Sequence, residues 1–345
     1  MNIPNTSAPR IVVIGGGFAG ISFIKKLRKE KVQIVLFDRH NYHTFQPLLY
    51  QVSTAGLEPD SIAYPLRKIF RNNLDFHFRM AEVEKIDAES RTISTTVGSL
   101  KYDYLIIATG TRTNYFGNES IAANCMPMKT VPQALNIRSL MLQNIEMADI
   151  TTDEKERKRL LNFVIAGAGP TGVELAGALA EFRNGILEHD YPELDEDEMN
   201  VHLIEGLDRV LPPMSEQASK KAHQFLTKLG VIIHLETFIS DYDGQTVTTK
   251  DGKKLETATF IWAAGVTGAP IGGIDGEALV EKANRYKVNE VNRIHGFENI
   301  FALGDIALMQ TGEYPKGHPQ VAQPAIQQGK QLGVNFKRML KGEKI

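Results

Sequence analysis

Two short glycine runs, each followed further along by an acid, are the residues of this chain with the clearest chemistry. The first is Gly15-Gly16-Gly17-Phe18-Ala19-Gly20, a GxGxxG on Gly15, Gly17 and Gly20, with Asp38 after it. The second is Gly167-Ala168-Gly169-Pro170-Thr171-Gly172, on Gly167, Gly169 and Gly172, with Glu205 after it. In such a run the first glycine makes a tight turn and the second lets a pyrophosphate approach the backbone. The third lets helix and strand pack closely. The phosphates sit on unsatisfied N–H groups at a helix N-terminus, and the acid accepts the hydroxyls of an adenosine ribose.

The elements that must position these groups are legible around them. Residues 11–14 read as a buried parallel strand, 21–29 as a helix, and 32–37 as a second strand ending in Asp38. The second copy runs as strand 163–166, helix 173–182 and strand 200–204 ending in Glu205. Strand, glycines, helix, strand and acid in this order predict an α/β fold with two Rossmann-like dinucleotide-binding domains. Glu205 favours NADH over NADPH, because a 2′-phosphate would meet like charge. Two nucleotides in one chain need a chemical relation, and hydride transfer between nicotinamide and flavin supplies one.

Composition narrows the function. The 345 residues exceed what one core usually organises. Basic residues number 39 against 41 acidic ones, with no surplus of the kind nucleic-acid binding needs. Cys125 is the sole cysteine, which excludes an internal disulfide, a cysteine metal site and a redox CxxC pair; it reads as a buried filler. His40 and His43 lie in a loop without a third ligand nearby, so no metal is expected. The acidic stretch Glu193, Asp195, Glu196, Asp197 and Glu198 reads as a solvated loop. The longest apolar stretch, residues 11–24, is glycine-rich and short of the roughly 20 residues of a membrane span. The expectation is a cytoplasmic chain.

Each glycine run is followed by a strand ending on small residues, 104–110 with Thr109-Gly110 and 260–265 with Ala264-Gly265; a further segment, 299–305, ends in Gly304-Asp305. Here the chain resembles the flavoprotein superfamily with two dinucleotide-binding domains. The resemblance implies FAD on the first run and NADH on the second. It also implies an FAD domain of residues 1–115 and 290–345, with an NADH domain, 116–289, inserted between. Within that superfamily three segments resemble type II NADH:quinone oxidoreductases: His43 to Val52, Gly169 to Gly177, and Ala322-Gln323-Pro324-Ala325-Ile326-Gln327-Gln328-Gly329.

The resemblance implies that FAD is held by Gly15, Gly17, Phe18, Gly20, Asp38, Arg39, Gln51, Thr109, Gly110, Gly304, Asp305 and Ala322. It places NADH on Gly167, Gly169, Pro170, Thr171, Gly172, Glu174, Glu205, Ala264 and Gly265. Pro324 suits a first helical turn, and Gln323 and Gln327 are spaced to share one helix face. Amides beside apolar residues suit quinone carbonyls, although a Gln-rich amphipathic helix is by itself more often simply a helix. Glu174 reads either as a first-turn partner of the helix dipole or, by resemblance, as a group near the NADH–flavin contact. The expected catalytic residues are Glu174, Gln323 and Gln327.

The expected activity passes electrons from NADH through FAD to a quinone, without proton pumping. Two other readings stay open: a soluble NADH–flavin reductase with a ferredoxin-like protein, a dye or oxygen as acceptor, and an NADH-responsive flavin-binding signalling protein. Thioredoxin reductases, dihydrolipoamide dehydrogenases and sulfide:quinone oxidoreductases need more cysteines than this chain has. Family members continue beyond the quinone-site helix with segments for membrane docking and homodimer formation, whereas this chain ends at Ile345 after a basic cluster, Lys337, Arg338, Lys341 and Lys344. The expectation is a fragment or a shortened relative lacking that anchoring part; the cluster reads either as peripheral contact with anionic lipid at the inner face of the cell membrane or as cations complementing a helix C-terminus.

Overall fold

The apolar run at residues 11–14 does not alternate with polar residues because both faces of its strand are covered. Ile11 and Val13 enter one core, Val12 and Ile14 another, as in a parallel strand with layers on either side. The computed structural model describes residues 1–345, apart from the side chains of Glu188 and Glu196. In it this run is β1 (Arg10–Ile14), followed by α1 (Phe18–Lys26), β2 (Gln33–Asp38), β3 (Phe76–Met80) and β4 (Tyr104–Ile107). The order returns as β5 (Asn162–Ala166), α2 (Pro170–Phe182), β6 (Asn200–Ile204), β7 (Ile232–His234) and β8 (Thr259–Trp262). β9 (Ile300–Ala302) and α3 (Ala322–Met339) come last.

The chain divides into two compact units. The first comprises Met1–His43, Tyr64–Arg112 and Thr267–Ile345, and its five-stranded parallel sheet has the order β9-β4-β1-β2-β3. The second comprises Thr44–Ala63 and Thr113–Val266, and its parallel sheet runs from Met126–Pro127 through β8-β5-β6-β7. Apart from the leading strand, the two sheets share one order. Each unit also carries a three-stranded antiparallel meander, Val83–Asp87, Thr92–Thr95 and Gly98–Lys101 in the first, Ile239–Tyr242, Thr246–Thr249 and Lys254–Glu256 in the second. Both have a register shift in their first strand.

These units divide the sequence differently from the expected boundaries. Residues 267–289 fall with the first unit because Arg285–Val288 pairs with Ala307–Met309 and Gly272 bridges to Lys85. Residues 44–63 fall with the second, where the short helix Leu49–Ser53 packs on the long helix Val131–Ile150 and Glu58 lies 3.7 Å from Arg138. In the acidic stretch Glu193, Asp195 and Asp197 are exposed, and Glu198 lies 3.7 Å from Arg157. The side chain of Glu196 lies outside the described residues.

α1 and α2 begin at Phe18 and Pro170, ahead of the expected starts at 21 and 173, so Gly20 and Gly172 lie inside their helices. The cause is steric. A Cβ on Gly20 would lie 2.1 Å from the carbonyl oxygen of Gly15, so the helix crosses the turn where nothing larger than hydrogen fits. α3 lies flush on α1 for a similar reason: a Cβ on Gly329 would come within 2.4 Å of the Ala19 carbonyl, and one on Gly333 within 2.5 Å of Lys26 Cβ. Phe336, fully buried on α3, then reaches the rings of Phe23, Tyr104 and Phe301 at 5.1, 5.2 and 5.2 Å. Burying such a ring stabilises the unit by roughly 1.5–3 kcal/mol. In the basic cluster, Lys337 pairs with Glu30 at 3.3 Å and Arg338 with Glu343 at 3.2 Å.

In the second unit the neighbouring strands β6 and β7 bring His202 Nδ1 within 3.1 Å of His234 Nε2, rings stacked 5.3 Å apart. Burial, then His234 and then Lys158, push the His202 pKa down to about 4. Burial, then Lys253, lower that of His234. The neutral form of His202 therefore supports the fold above its unfolded pKa of about 6.5. That support is lost as the pH falls through about 4. Thermal unfolding of the chain and of a His202→Asn variant, at pH 7 and pH 4.5, is expected to give a smaller acid-induced drop in Tm for the variant. An equal drop in both would sink this account.

Candidate functional site

The two glycine runs sit at the C-terminal ends of their sheets' central strands, where open α/β sheets bind ligands. In the first unit Gly15 has φ +108°, a left-handed conformation that favours glycine, and a Cβ there would lie 2.3 Å from the Ala108 carbonyl oxygen. At Gly17 nothing stands within 4 Å of an added Cβ. The run is thus crowded, open, then crowded at Gly20. The opening faces the start of α1, whose N-cap Gly17 provides no side-chain cap. This leaves backbone donors for an anion.

The second unit repeats this. Gly167 has φ +95°, with its added Cβ 2.4 Å from Ala264 Cα; Gly169 is open; and at Gly172 the Cβ would lie 1.8 Å from the Gly167 carbonyl oxygen. α2 likewise starts without a side-chain cap, with Pro170 in its first turn.

The acids close each turn in the same way. Asp38 Oδ2 accepts from Gly16 N at 2.6 Å and Oδ1 from His40 N at 2.8 Å. Glu205 Oε2 accepts from Ala168 N at 2.7 Å and Oε1 from Leu207 N at 3.0 Å. Gly16 and Ala168 are the middle residues of equivalent Gly-x-Gly turns, so each carboxylate is fixed on its turn. An ionised carboxylate has about four acceptor positions, so both keep capacity for ribose hydroxyls. Crowded–open–crowded backbones, uncapped helix starts and fixed acids fit a dinucleotide in each unit.

Further expected residues gather at the first cradle. Thr109 Oγ1 donates to the Ala269 carbonyl at 2.8 Å, and Ala269 N donates to the Gly110 carbonyl at 3.1 Å, fixing the end of β4. Gly304 approaches both helices, an added Cβ standing 3.2 Å from Ala19 Cβ and from Ala325 Cβ. Asp305 follows it, half-buried, its carbonyl accepting from Gln320 Nε2 at 3.2 Å. Ala322 opens α3. Phe18 meets His43 edge-on at 4.9 Å.

Of the other residues expected at FAD, Arg39 is largely exposed, 3.9 Å from Glu82, and the Gln51 carbonyl accepts from Gly56 N and Leu57 N.

At the second cradle Gly265 accepts from Asn114 N at 3.1 Å, and Thr171 is exposed. Glu174 is the fifth residue of α2, so the first-turn dipole reading does not hold for it. It reaches solvent, yet desolvation by the surrounding protein raises its pKa above the ordinary carboxylate value. Gln323 and Gln327 are both exposed on α3.

Three groups at the first cradle escaped the sequence reading as site residues. Gln328 is buried, and its Oε1 accepts from Gly304 N at 2.8 Å. Its signal was present, since it adjoins Gln327, but helix phase alone does not say which glutamine turns inward. His43 Nδ1 donates to the Gly16 carbonyl at 3.1 Å, and burial, its largest influence, lowers the pKa of the ring. Arg285, 7% exposed, donates to the Ala307 carbonyl at 2.6 Å. Burial lowers its pKa while Asp305 acts in the opposite sense. Cys125 is buried, its thiol pushed up to about 12 by desolvation. Among the described residues no group of three or more His, Cys, Asp or Glu is placed to hold a metal ion. No helix among them is long and apolar enough to cross a membrane.

Residues 9–329 match the family model described as pyridine nucleotide-disulphide oxidoreductase. The chain is 36% identical to a type II NADH:quinone oxidoreductase of Mycobacterium tuberculosis, across 96% of this chain and 72% of that protein. It is 35% identical to a second such enzyme of the same organism, across 96% and 73%. Among solved structures it is similar to NDH2 of Plasmodium falciparum in complex with NADH, with a TM-score of 0.87 and 22% identity, across 95% of this chain and 83% of that one. At that identity the likeness speaks for the fold alone.

Proposed function

We propose, from the premise that the chain belongs to the pyridine nucleotide-disulphide oxidoreductases and within them to the type II NADH:quinone oxidoreductases, that it transfers electrons from NADH to a quinone by way of FAD. The observation that carries this reading is the repeated cradle, one in each unit, with an acid fixed on each glycine turn. The sole cysteine, buried and with a raised pKa, leaves disulfide chemistry within the chain out of the reading.

Bound FAD supplies the ring through which two electrons pass from NADH to a quinone. The chain's own residues bind and orient. The first cradle takes the FAD pyrophosphate at the start of α1, Asp38 takes its ribose, and Asp305, on the Gly304 turn, takes the ribityl chain. The second takes NADH at the start of α2, where Glu205 repels a 2′-phosphate. Glu174 holds a proton on its carboxyl more readily than an ordinary glutamate, which suits a group that supplies one during quinone reduction. Gln323 and Gln327 offer amide donors to quinone carbonyls, and Ala322 and Ile326 supply the apolar surface beside them. The reading treats electron transfer as uncoupled from proton translocation, and places the enzyme at a membrane surface where its quinone resides.

The test is steady-state oxidation of NADH by the FAD-loaded chain with a short-chain quinone. Turnover is expected to depend on the quinone and to fall at least about tenfold with NADPH, a like-charge penalty of about 1.4 kcal/mol. Turnover independent of added quinone would overturn the acceptor. A Gln323→Leu variant is expected to slow flavin reoxidation by quinone by about tenfold, the loss of one hydrogen bond, and to leave reduction by NADH unchanged. Equal slowing of both half-reactions would remove Gln323 from the quinone site.

A further inference from the structure

The outer edge of the first sheet carries a charged cluster that the dinucleotide cradle does not use. β3 is an edge strand, paired with β2 on one side only. Beside its other edge lies a cleft of about 340 Å³ whose lining includes Arg67, Arg71, Asn73, His77 and Arg79. Arg67 Nη2 and Arg79 Nη1 donate to one and the same acceptor, the carbonyl oxygen of Phe78, at 3.3 and 2.9 Å. Sharing an acceptor brings two permanent positive charges together, an arrangement that is repulsive until an anion offsets it.

No described carboxylate provides that offset. None of Arg67, Arg71 and Arg79 lies within 4.0 Å of an acid among the described residues. Asp75, the one acid in the sequence between Arg67 and Arg79, already accepts from His77 at 2.7 Å and from Gln33 at 3.3 Å. Arg79 is held in place by the carbonyls of Met1 and Asn2. Arg67 lies over the Phe78 ring at 5.0 Å. On the same wall Asn73 Nδ2 is buried without a hydrogen-bond partner among the described residues, and a buried donor left unpaired is destabilising.

Guanidinium forks match the oxygens of phosphate. Three of them with an unpaired amide donor suit a ligand carrying more than one negative charge. We propose that this edge cleft binds a phosphate group, either free in solution or as the headgroup of an anionic phospholipid. The proposal is independent of the quinone reading, since none of these residues belongs to either glycine cradle.

The test fills both cradles with FAD and NAD, then titrates inorganic pyrophosphate by calorimetry, with hydrogen exchange read by mass spectrometry. A parallel arm measures co-sedimentation with phosphatidylglycerol vesicles against phosphatidylcholine vesicles. The variant is Arg71→Glu, an exposed position at which the fold is expected to persist, and Arg67→Gln is the second. The expected result is saturable binding that Arg71→Glu weakens at least about tenfold, with protection confined to residues 66–80. Vesicle binding sensitive to Arg71→Glu, without pyrophosphate binding, identifies the headgroup as the source. Pyrophosphate binding without vesicle binding identifies a soluble phosphate. Binding of neither probe, or binding that neither variant alters, overturns the proposal.

Discussion

Gly172→Ala is expected to abolish most NADH oxidation while leaving FAD bound. The added Cβ would stand 1.8 Å from the Gly167 carbonyl oxygen, a backbone atom at the turn rather than the end of a flexible side chain. α2 must therefore move off β5, at a cost of about 3 kcal/mol or more, the upper range for overpacking. The movement carries the N–H groups at the helix start away from the phosphates. Losing even one charge-assisted hydrogen bond of about 1.5–3 kcal/mol raises the KM for NADH by roughly ten- to a hundredfold. Gly169→Ala separates the two effects, since its Cβ meets nothing within 4 Å. It should preserve Tm yet weaken NADH binding by blocking its approach. Thermal unfolding and steady-state kinetics of both variants check this. Wild-type kinetics in Gly172→Ala would remove the second cradle from the account.

Gln328→Leu is expected to have the second largest effect, at the flavin. The buried amide of Gln328 accepts from Gly304 N, and a leucine leaves that N–H unpaired at a cost of about 1–3 kcal/mol. Gly304 lies against Ala19 and Ala325, beside the start of α1. A displaced Gly304-Asp305 turn should release FAD, so the purified variant is expected to carry clearly less FAD per chain and to have a lower Tm. Gln327→Leu, one position earlier and exposed, should keep both. Equal FAD content in the two variants would contradict the role given to Gln328.

Much of the architecture is legible in the sequence where local chemistry leaves one solution. The glycine turns at Gly15 and Gly167 require left-handed backbone and close approach, and an acid ends the next strand in each copy. The helix starts are less legible. Gly20 and Gly172 resemble helix breakers, but they are glycines because the helix crosses the turn there. The meanders are harder still, being short strands with a register shift that hides their alternation.

At the site, the four-residue spacing of Gln323 and Gln327 identifies one face of α3. Which face turns inward depends on Gly329 and Gly333 packing against α1, and that turns Gln328 inward instead. Likewise Arg67 and Arg79 look like separate surface charges until β3 and its neighbours bring both to the Phe78 carbonyl.

The most direct test of the central claim is an anaerobic double-mixing stopped-flow measurement on the FAD-loaded chain. NADH in the first mix should bleach the flavin absorbance, and a short-chain quinone in the second should restore it faster than oxygen does. Bleaching by NADH followed by recovery only with oxygen or a ferredoxin-like protein would contradict the quinone as acceptor. Absence of bleaching would contradict electron transfer from NADH to the flavin itself.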